Sequence, residues 1–386
     1  MKQIRLVPLL LVAFLNETAY SMMWPLATIY INTILHKSLT VAGTGLMFFS
    51  AANVLGAMLA GKLYDRFNQF YLTLFGMAAC LVVCLLGIVF TRWPSYVFVL
   101  TAFGLTTGWL NTAVNVYGTL FPKMSTTKIF NLIYLVLNVG LVVGTMLISE
   151  IFKKSVVPIF VLAAAIYLFS FLTQFFCFPK QRLEYQTQPV SKHATTHHLP
   201  THHIKHLFAV NFLTLVIVWT MYSQWESNFS VYLIDNGFAL RVYSLLWALN
   251  GVIIIAVQWL LTWRPQIIQN LYHRIVIGLV FLSISYFVTI MSTNIIFIYL
   301  GMILLTIGEA IYVPTVPVII DQWTPPADKG HSQGLVNGFS SVGRALGPLF
   351  GGLVIDHSSF KVLFVVAGCS MVLMTIWNYW NNRQLV

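Results

Sequence analysis

Four ionisable side chains lie inside long apolar stretches of this sequence: Glu17, Glu226, Glu309 and Arg344. Glu309 is the clearest case, because it is the only acidic or basic residue among the 26 residues of 295–320. A charged group at the centre of a bilayer costs roughly 2.5–3.5 kcal/mol on insertion scales, so such groups usually face a cavity or a partner. A carboxyl group placed there can exchange a proton or bind a cation. The four residues are therefore candidates for coupling proton movement to another process.

Polar and aromatic residues flank each glutamate at helical spacing. Residues three or four apart share one face of an α-helix, and around Glu309 that face carries Thr306 and Tyr312. Pro314 and Pro317 follow, and each proline frees a backbone carbonyl, which a membrane helix tolerates where it faces protein or water. Similar faces surround Glu226, with Tyr222, Ser223 and Ser230, and Glu17, with Tyr20, Ser21 and Trp24.

The composition indicates what surrounds these residues. Of 386 residues, 58% are hydrophobic and 8% are charged, and the mean hydropathy is +0.82, whereas soluble domains carry about 25% charged residues. The apolar runs are long enough to cross about 30 Å of hydrocarbon as helices, and the alternation typical of outer-membrane strands is missing. The sequence predicts an all-α polytopic membrane protein with twelve transmembrane helices, over 6–30, 40–61, 70–91, 94–120, 129–151, 155–177, 207–234, 242–262, 274–293, 295–320, 332–355 and 359–380.

The twelve segments fall into two groups of six. Segment 6–30 is too long for the core of a signal peptide and contains Glu17, so we interpret it as the first span. The longest polar stretch, 179–206, divides the chain into an N-terminal half, 1–178, and a C-terminal half, 207–386. Two six-helix halves joined by a linker are typical of repeat-built transporters, although other twelve-span folds fit the count.

Lysine and arginine predict the orientation, since they concentrate in cytoplasmic loops. If both termini are cytoplasmic, 14 of the 21 lysines and arginines lie on the inner side and six on the outer side, although Lys153 and Lys154 go against this trend. The net charge of +11 then reflects orientation and contact with lipid headgroups. We expect a cell-membrane protein that contacts the bilayer, binds no nucleic acid and is a monomer.

The segment 61–70 reads GKLYDRFNQF and resembles a signature of the major facilitator superfamily, G-x-L-x-D-R-x-G-R-[KR], in the loop between helices 2 and 3. Gly61, Leu63, Asp65 and Arg66 match it. The resemblance implies a charge latch in one conformation, made by Gly61, Asp65 and Arg66; an ordinary charged loop is the alternative. The second glycine and the basic pair are replaced by Asn68, Gln69 and Phe70.

The eleventh segment contains GRALGPLFGG, at 343–352, which fits the pattern G-x-x-x-G-P-x-x-G-G of drug/proton antiporters in this superfamily. There the pattern belongs to helix 5, whereas here helix 5 keeps only GLVVG, at 140–144. Small residues four positions apart also let membrane helices pack closely, and that packing is the alternative interpretation. The predicted helix-packing residues are Gly343, Gly347, Pro348, Gly351 and Gly352.

Two further segments resemble Gram-positive multidrug/proton antiporters of the twelve-helix drug-efflux family. IGEAIYVPTVP, at 307–317, is similar to their helix 10, and QWESNF, at 224–229, is similar to their helix 7. The fourth segment lacks the basic residue of many proton-coupled members, and Ile133 stands where related pumps place an acid early in helix 5. Part of the family's proton machinery is therefore missing or has moved.

The resemblance implies a secondary active transporter that couples proton movement to the efflux of hydrophobic or cationic drugs by alternating access. Glu309 is our first candidate for the proton-coupling carboxyl group and Glu226 the second. Glu17 would supply a carboxyl group from the N-terminal half, and Arg344 would pair reversibly with one of them. The alternative is a fixed Glu309–Arg344 pair, with Glu17 a buried and permanently protonated acid.

Substrate contacts are expected from polar and aromatic residues, although Trp and Tyr also anchor membrane interfaces. The candidates are Tyr20, Trp24, Asn111, Asn115, Asn138, Tyr222, Trp247, Asn250 and Tyr312. The six histidines of 193–206 and the four cysteines form no convincing metal site, and no phosphate-binding or hydrolytic motif is present. We expect no metal, no cofactor and no enzyme activity. Transport of one defined solute (a sugar, peptide or metabolite), lipid flipping, and sensing without transport stay open.

Overall fold

The computed structural model describes residues 4–64, 66–121, 126–182, 201–324 and 329–382. Within these ranges no residue lies in a strand, and twelve helices are long and apolar enough to cross a membrane. The predicted all-α fold with twelve transmembrane helices is confirmed. Asp65 and most of the predicted linker, 179–206, lie outside the described residues.

Nine of the twelve described spans are single helices. They are α2 (Leu39–Tyr64), α3 (Gln69–Val89), α4 (Ser95–Thr119), α5 (Thr126–Ile151), α6 (Val157–Cys177), α8 (Leu240–Trp263), α9 (Leu271–Met291), α11 (Lys329–His357) and α12 (Phe360–Asn382). A short 3₁₀ helix, Pro265–Ile268, follows α8. The other three spans are broken: α1 (Leu6–Ser21 and Met23–Ile29, then a π-helical turn Tyr30–Ile34), α7 (Thr201–Glu226 and Asn228–Asp235) and α10 (Ile295–Tyr312 and Thr315–Gln322).

Asparagine side chains mark the starts of three helices. Asn68, Asn270 and Asn294 each precede a helix, and each side-chain oxygen accepts a hydrogen bond from the backbone N–H two residues later. Such caps satisfy N–H groups that have no partner within the helix. Asn294 explains how three short polar residues, 292–294, separate the ninth and tenth spans: α9 ends at Met291 and α10 begins at Ile295.

The break in α10 follows from a proline. Pro314 has no N–H, so the carbonyl oxygen of Ala310 loses its helical donor. Gln258 of α8 donates its Nε2 to that oxygen at 2.7 Å. The freed carbonyl is thus satisfied by a neighbouring helix, as a break inside a membrane requires.

Large apolar side chains cover the outside of several spans. Val7, Val89, Phe98 and Met291 are each more than 70% exposed. Burying such surface in hydrocarbon rather than water is favourable. Their exposure therefore fits a multi-pass membrane protein whose outer surface contacts lipid.

The chain folds into two compact units. The first contains Met1–Pro189, Glu226–Ile234 and Phe238–Ser244, and the second contains Val190–Trp225, Asp235–Gly237 and Leu245–Val386. The second piece of α7 and the start of α8 group with the first unit. The division into halves at 1–178 and 207–386 stays a prediction.

Glycines allow close helix packing in the first unit, where α5 crosses α1. A Cβ atom added to Gly140 would lie 2.9 Å from the carbonyl oxygen of Phe14 and 3.0 Å from Cβ of Glu17. A Cβ atom added to Gly144 would overlap Ser21 Oγ. No larger residue fits at either position without separating the two helices.

The same arrangement recurs within the second unit, where α11 crosses α7. A Cβ atom added to Gly343 would lie 2.5 Å from the carbonyl oxygen of Val216, and one added to Gly347 would overlap Ser223 Oγ. Gln224 also donates its Nε2 to the carbonyl oxygen of Gly347 at 2.8 Å. The remaining residues of the motif, Pro348, Gly351 and Gly352, are buried.

We expect Gly347→Ala to lower the melting temperature of the purified protein, because the new methyl group forces α7 and α11 apart. Overpacking of this kind costs about 1–3 kcal/mol. Gly338→Ala is the matched control on the same helix, since nothing lies within 4 Å of its added Cβ. Equal melting temperatures for the two variants would contradict the close packing of α7 against Gly347.

Candidate functional site

The Glu309 carboxyl group joins three helices of the second unit. Its Oε2 accepts a hydrogen bond from Tyr222 Oη on α7 at 2.8 Å and another from Asn250 Nδ2 on α8 at 3.0 Å. Asn250 Nδ2 also lies 3.0 Å from Thr306 Oγ1, one turn before Glu309 on α10. Three predicted site residues, Glu309, Tyr222 and Asn250, are thus brought together.

Burial explains why these donors turn to the carboxyl group. Tyr222 is 3% exposed and Asn250 is 1% exposed, whereas Glu309 is half-buried. Buried polar groups in proteins almost always have a hydrogen-bond partner, and a charged acceptor makes the stronger bond. Glu309 satisfies both donors and keeps part of its own surface accessible.

Two buried tryptophans pack against Tyr222, the tyrosine that donates to this carboxyl group. The ring of Tyr222 meets that of Trp219 edge-on, with centroids 5.2 Å apart, and that of Trp247 at 6.3 Å. A carboxylate beside aromatic faces suits an apolar or cationic organic ligand, because π-faces attract cations.

Arg344 of α11 contacts the same aromatic cluster through Trp219. Its guanidinium carbon lies 3.8 Å from the centroid of the Trp219 ring. The neighbouring Gly343 allows this, because a Cβ added there would lie 2.8 Å from Cβ of Trp219. Trp219 thus contacts Arg344 on one side and Tyr222, the donor to Glu309, on the other.

The first unit holds an uncharged polar cluster. Asn16 Nδ2 on α1 donates to Asn111 Oδ1 on α4 at 2.6 Å, and Tyr167 Oη on α6 lies 3.4 Å from Asn16 Oδ1. Glu17, the next residue of α1, is half-buried and packs against Gly140. Asn111 is therefore the predicted site residue that this cluster includes.

Tyr20 and Trp24 form a second group in the first unit. Their ring centroids are 6.4 Å apart, and both rings contact Phe49 of α2, at 5.7 Å and 5.4 Å. Trp24 is buried and Tyr20 is half-buried. The predicted aromatic face of α1 is thus packed partly against its neighbour.

Glu226 lies at the break in α7, where the first helical piece ends. Tyr243 Oη donates to its backbone oxygen at 2.7 Å, and its side chain is half-buried. Helical spacing suggested that Tyr222 flanks Glu226, but the Tyr222 hydroxyl donates to Glu309.

The remaining predicted residues lie apart from these contacts. Asn115 is exposed, and Asn138 donates to the backbone oxygen of Tyr134 on its own helix. Tyr312 is fully buried, and its hydroxyl makes no hydrogen bond to any residue that the structure describes. Of the predicted latch, Gly61 is half-buried and Arg66 exposed, while Asp65 lies outside the described residues. Among the described residues no group of three His, Cys, Asp or Glu could hold a metal ion.

Three residues of these clusters were missing from the predicted site: Trp219, Asn16 and Tyr167. Two of them had a signal in the sequence. Trp219 precedes Tyr222 by three residues, which places it on the same helical face. Asn16 is a polar residue in an apolar segment, a type that membrane spans rarely keep without a partner.

A family model and two relatives align with most of the length of this chain. A family model for the Major Facilitator Superfamily matches residues 9–270 and 273–385. The uncharacterized MFS-type transporter YttB of Bacillus subtilis (strain 168) is 34% identical over 355 residues, which cover 91% of this chain and 88% of that protein. A second transporter of this type from the same organism, YqjV, is 26% identical over 354 residues, covering 88% and 84%.

Solved structures share the fold at low identity. A POT family transporter in complex with 5-aminolevulinic acid has a TM-score of 0.82 and 12% identity, covering 99% of this chain and 96% of that chain. The nucleoside transporter NupG has a TM-score of 0.73 and 14% identity, covering 97% and 98%. The family model and the 34% identical relative show that the chain belongs to the Major Facilitator Superfamily and is a multi-pass membrane transporter.

We expect Tyr222→Phe to destabilise the protein, because Glu309 and Asn250 lose part of a shared hydrogen-bond network. Hydrogen bonds between membrane helices contribute about 0.6–1.7 kcal/mol. Tyr312→Phe is the matched control, and we expect it to be neutral. Thermal unfolding of both variants in detergent checks this, and an equal loss of stability in the two would contradict the assigned geometry.

Proposed function

We propose that this transporter is a proton-coupled antiporter that exports hydrophobic or cationic compounds by alternating access. The observation that carries the proposal is the half-buried Glu309 carboxyl group inside a membrane span, held by Tyr222 and Asn250. Intramembrane carboxyl groups mark ion and proton pathways more often than they serve packing.

The proposed coupling is competition for one carboxyl group. When Glu309 carries a proton, the site has no negative charge to offer a cation. When the proton leaves, the carboxylate stays oriented by Tyr222 and Asn250 and attracts a cationic substrate. Because the proton and the substrate exclude each other, moving one across the membrane drives the other in the opposite direction.

The aromatic cluster supports a hydrophobic or cationic substrate. Trp219 and Trp247 pack against Tyr222, the donor to the carboxyl group. Aromatic faces of this kind attract cations, and Trp219 already carries the Arg344 guanidinium. Such contacts depend little on the exact shape of the ligand, which favours several related substrates over one.

Two more carboxyl groups are proposed as proton carriers. Glu226 lies at the break of α7 and Glu17 beside the close contact of α1 with α5, and both side chains are half-buried within membrane spans. Export further requires the orientation proposed from the lysine and arginine distribution, with both termini cytoplasmic in the cell membrane.

Arg344 favours a second candidate function, the transport of one defined solute that carries a negative charge. Its guanidinium lies on Trp219, next to the donor of Glu309. With Glu309 protonated, Arg344 leaves a positive charge near the site, which would attract a carboxylate or phosphate. The charge of the transported molecule separates the two candidates.

Glu309→Gln tests the first candidate in liposomes with an acidic lumen and external ethidium. We expect the wild type to accumulate the dye as protons leave, and the variant to show only the leak of protein-free liposomes, because its amide cannot exchange a proton. Glu150→Gln, at an exposed acid near the end of α5, is the matched control and should retain wild-type transport. Dye uptake by Glu309→Gln at the wild-type rate would refute the coupling role. If the wild type moves no dye under any gradient, the drug-export proposal is wrong.

Arg344→Gln separates the two candidates. Removing the guanidinium takes away a repulsive charge, so we expect the apparent affinity for ethidium to rise about fivefold, in line with a charge interaction of ~1 kcal/mol. A transporter of an anionic solute would instead lose its transport. Lys361→Gln, at an exposed lysine, is the control for the change in net charge. An unchanged affinity in Arg344→Gln would show that the guanidinium does not influence the site.

A further inference from the structure

A cavity of about 200 Å³ lies at the end of α6 in the first compact unit. Its lining residues are Phe175, Phe176, Phe178, Pro179, Lys180 and Gln181. One water takes up about 30 Å³ of the liquid, so the cavity has room for a group as large as a phosphate. We name it the α6-end cavity.

Two anchors hold the segment that forms this cavity. The ring of Phe178 is buried and meets Tyr117 edge-on at 4.9 Å, and Gln174 donates to the Tyr117 hydroxyl at 2.8 Å. Lys180 lies two residues after Phe178, and its backbone oxygen accepts a hydrogen bond from Asn68 Nδ2 at 2.9 Å. The chain after α6 is therefore fixed to α4 and to the start of α3.

Asn68 does two things that a glycine could not do. Its side-chain oxygen caps α3, and its side-chain nitrogen holds Lys180. Asn68 stands where the loop signature of the superfamily has a glycine, and the basic pair that should follow is replaced by Gln69 and Phe70, both buried. Asn68 thus holds the Lys180 backbone beside a loop that lacks the two basic residues of the signature.

Charge and apolar surface meet at this cavity. The Lys180 ammonium lies 4.8 Å from the centroid of the Phe175 ring, a contact that is weak at an exposed site and easily exchanged for an anion. Arg66 lies two residues before Asn68, and Arg182 lies two residues after Lys180. Both arginines are exposed, and the hydrogen bond from Asn68 to Lys180 joins the two segments. Phe176 is 69% exposed at the end of its span.

We propose that the α6-end cavity binds the phosphate headgroup of an anionic phospholipid. Lys180 contacts the phosphate, and Phe175 and Phe176 pack against the acyl chains. The position at the end of a membrane span places the cavity at the depth of the headgroups, where basic side chains attract anionic lipids. The exposed Phe176 beside the cavity favours a lipid over a soluble anion, because its ring can pack against acyl chains.

Native mass spectrometry of the full chain in neutral detergent tests the proposal, with phosphatidylglycerol and phosphatidylcholine added as probes. We expect Lys180→Gln to weaken phosphatidylglycerol binding about fivefold, because one lysine near an anionic headgroup contributes roughly that factor. Lys180→Arg should retain binding. Lys361→Gln, which removes an exposed lysine at the start of α12, should bind as the wild type does.

Phe176→Ala supplies a second test that leaves all charges in place, and it should also weaken binding of the lipid. Inorganic phosphate at the same concentration should not displace phosphatidylglycerol. The proposal is wrong if Lys180→Gln binds like the wild type, if Lys361→Gln weakens binding as much, or if inorganic phosphate competes as well as the lipid does. None of these readouts depends on transport.

Discussion

A carboxyl group inside hydrocarbon must be satisfied by the protein around it, and the site of this transporter is built on that constraint. Glu309 is the acid in the first piece of α10, and Tyr222 and Asn250 reach it from α7 and α8. Neither donor can be buried without an acceptor, and the acid is costly without donors. The three helices therefore meet in an arrangement that joins these groups. The rings of Trp219 and Trp247 pack against Tyr222 in that arrangement.

Backbone carbonyls impose the same requirement. Gln258 reaches the oxygen freed by Pro314, and Gln224 donates a further hydrogen bond to the Gly347 carbonyl of α11. The broken helix α10 is thus stable within the membrane because a long polar side chain on a neighbouring helix completes its hydrogen bonds.

The two units use one packing device with different charges. In each unit a pair of glycines four residues apart lets a helix approach its neighbour, on α5 in the first and on α11 in the second. The first glycine faces Glu17 in one unit and Trp219 in the other. The residue after that glycine is Leu141 in one and Arg344 in the other. The two units therefore share a packing geometry while differing in the charges they place beside it.

Residue types alone predicted the spans and drew attention to Glu309, because charge and hydropathy are local properties. Which side chains meet is not local. Tyr222 faced Glu226 by helical spacing, yet its hydroxyl donates to Glu309, since the contact depends on how α7 is rotated against α10. The same holds for Arg344 on Trp219 and for Asn68 with Lys180.

Proton release on cation binding tests the role of Glu309 most directly. Purified protein in weakly buffered solution should release about one proton per bound tetraphenylphosphonium, because one carboxyl group exchanges one proton, and Glu309→Gln should release none. Equal release from the two proteins would contradict competition at Glu309.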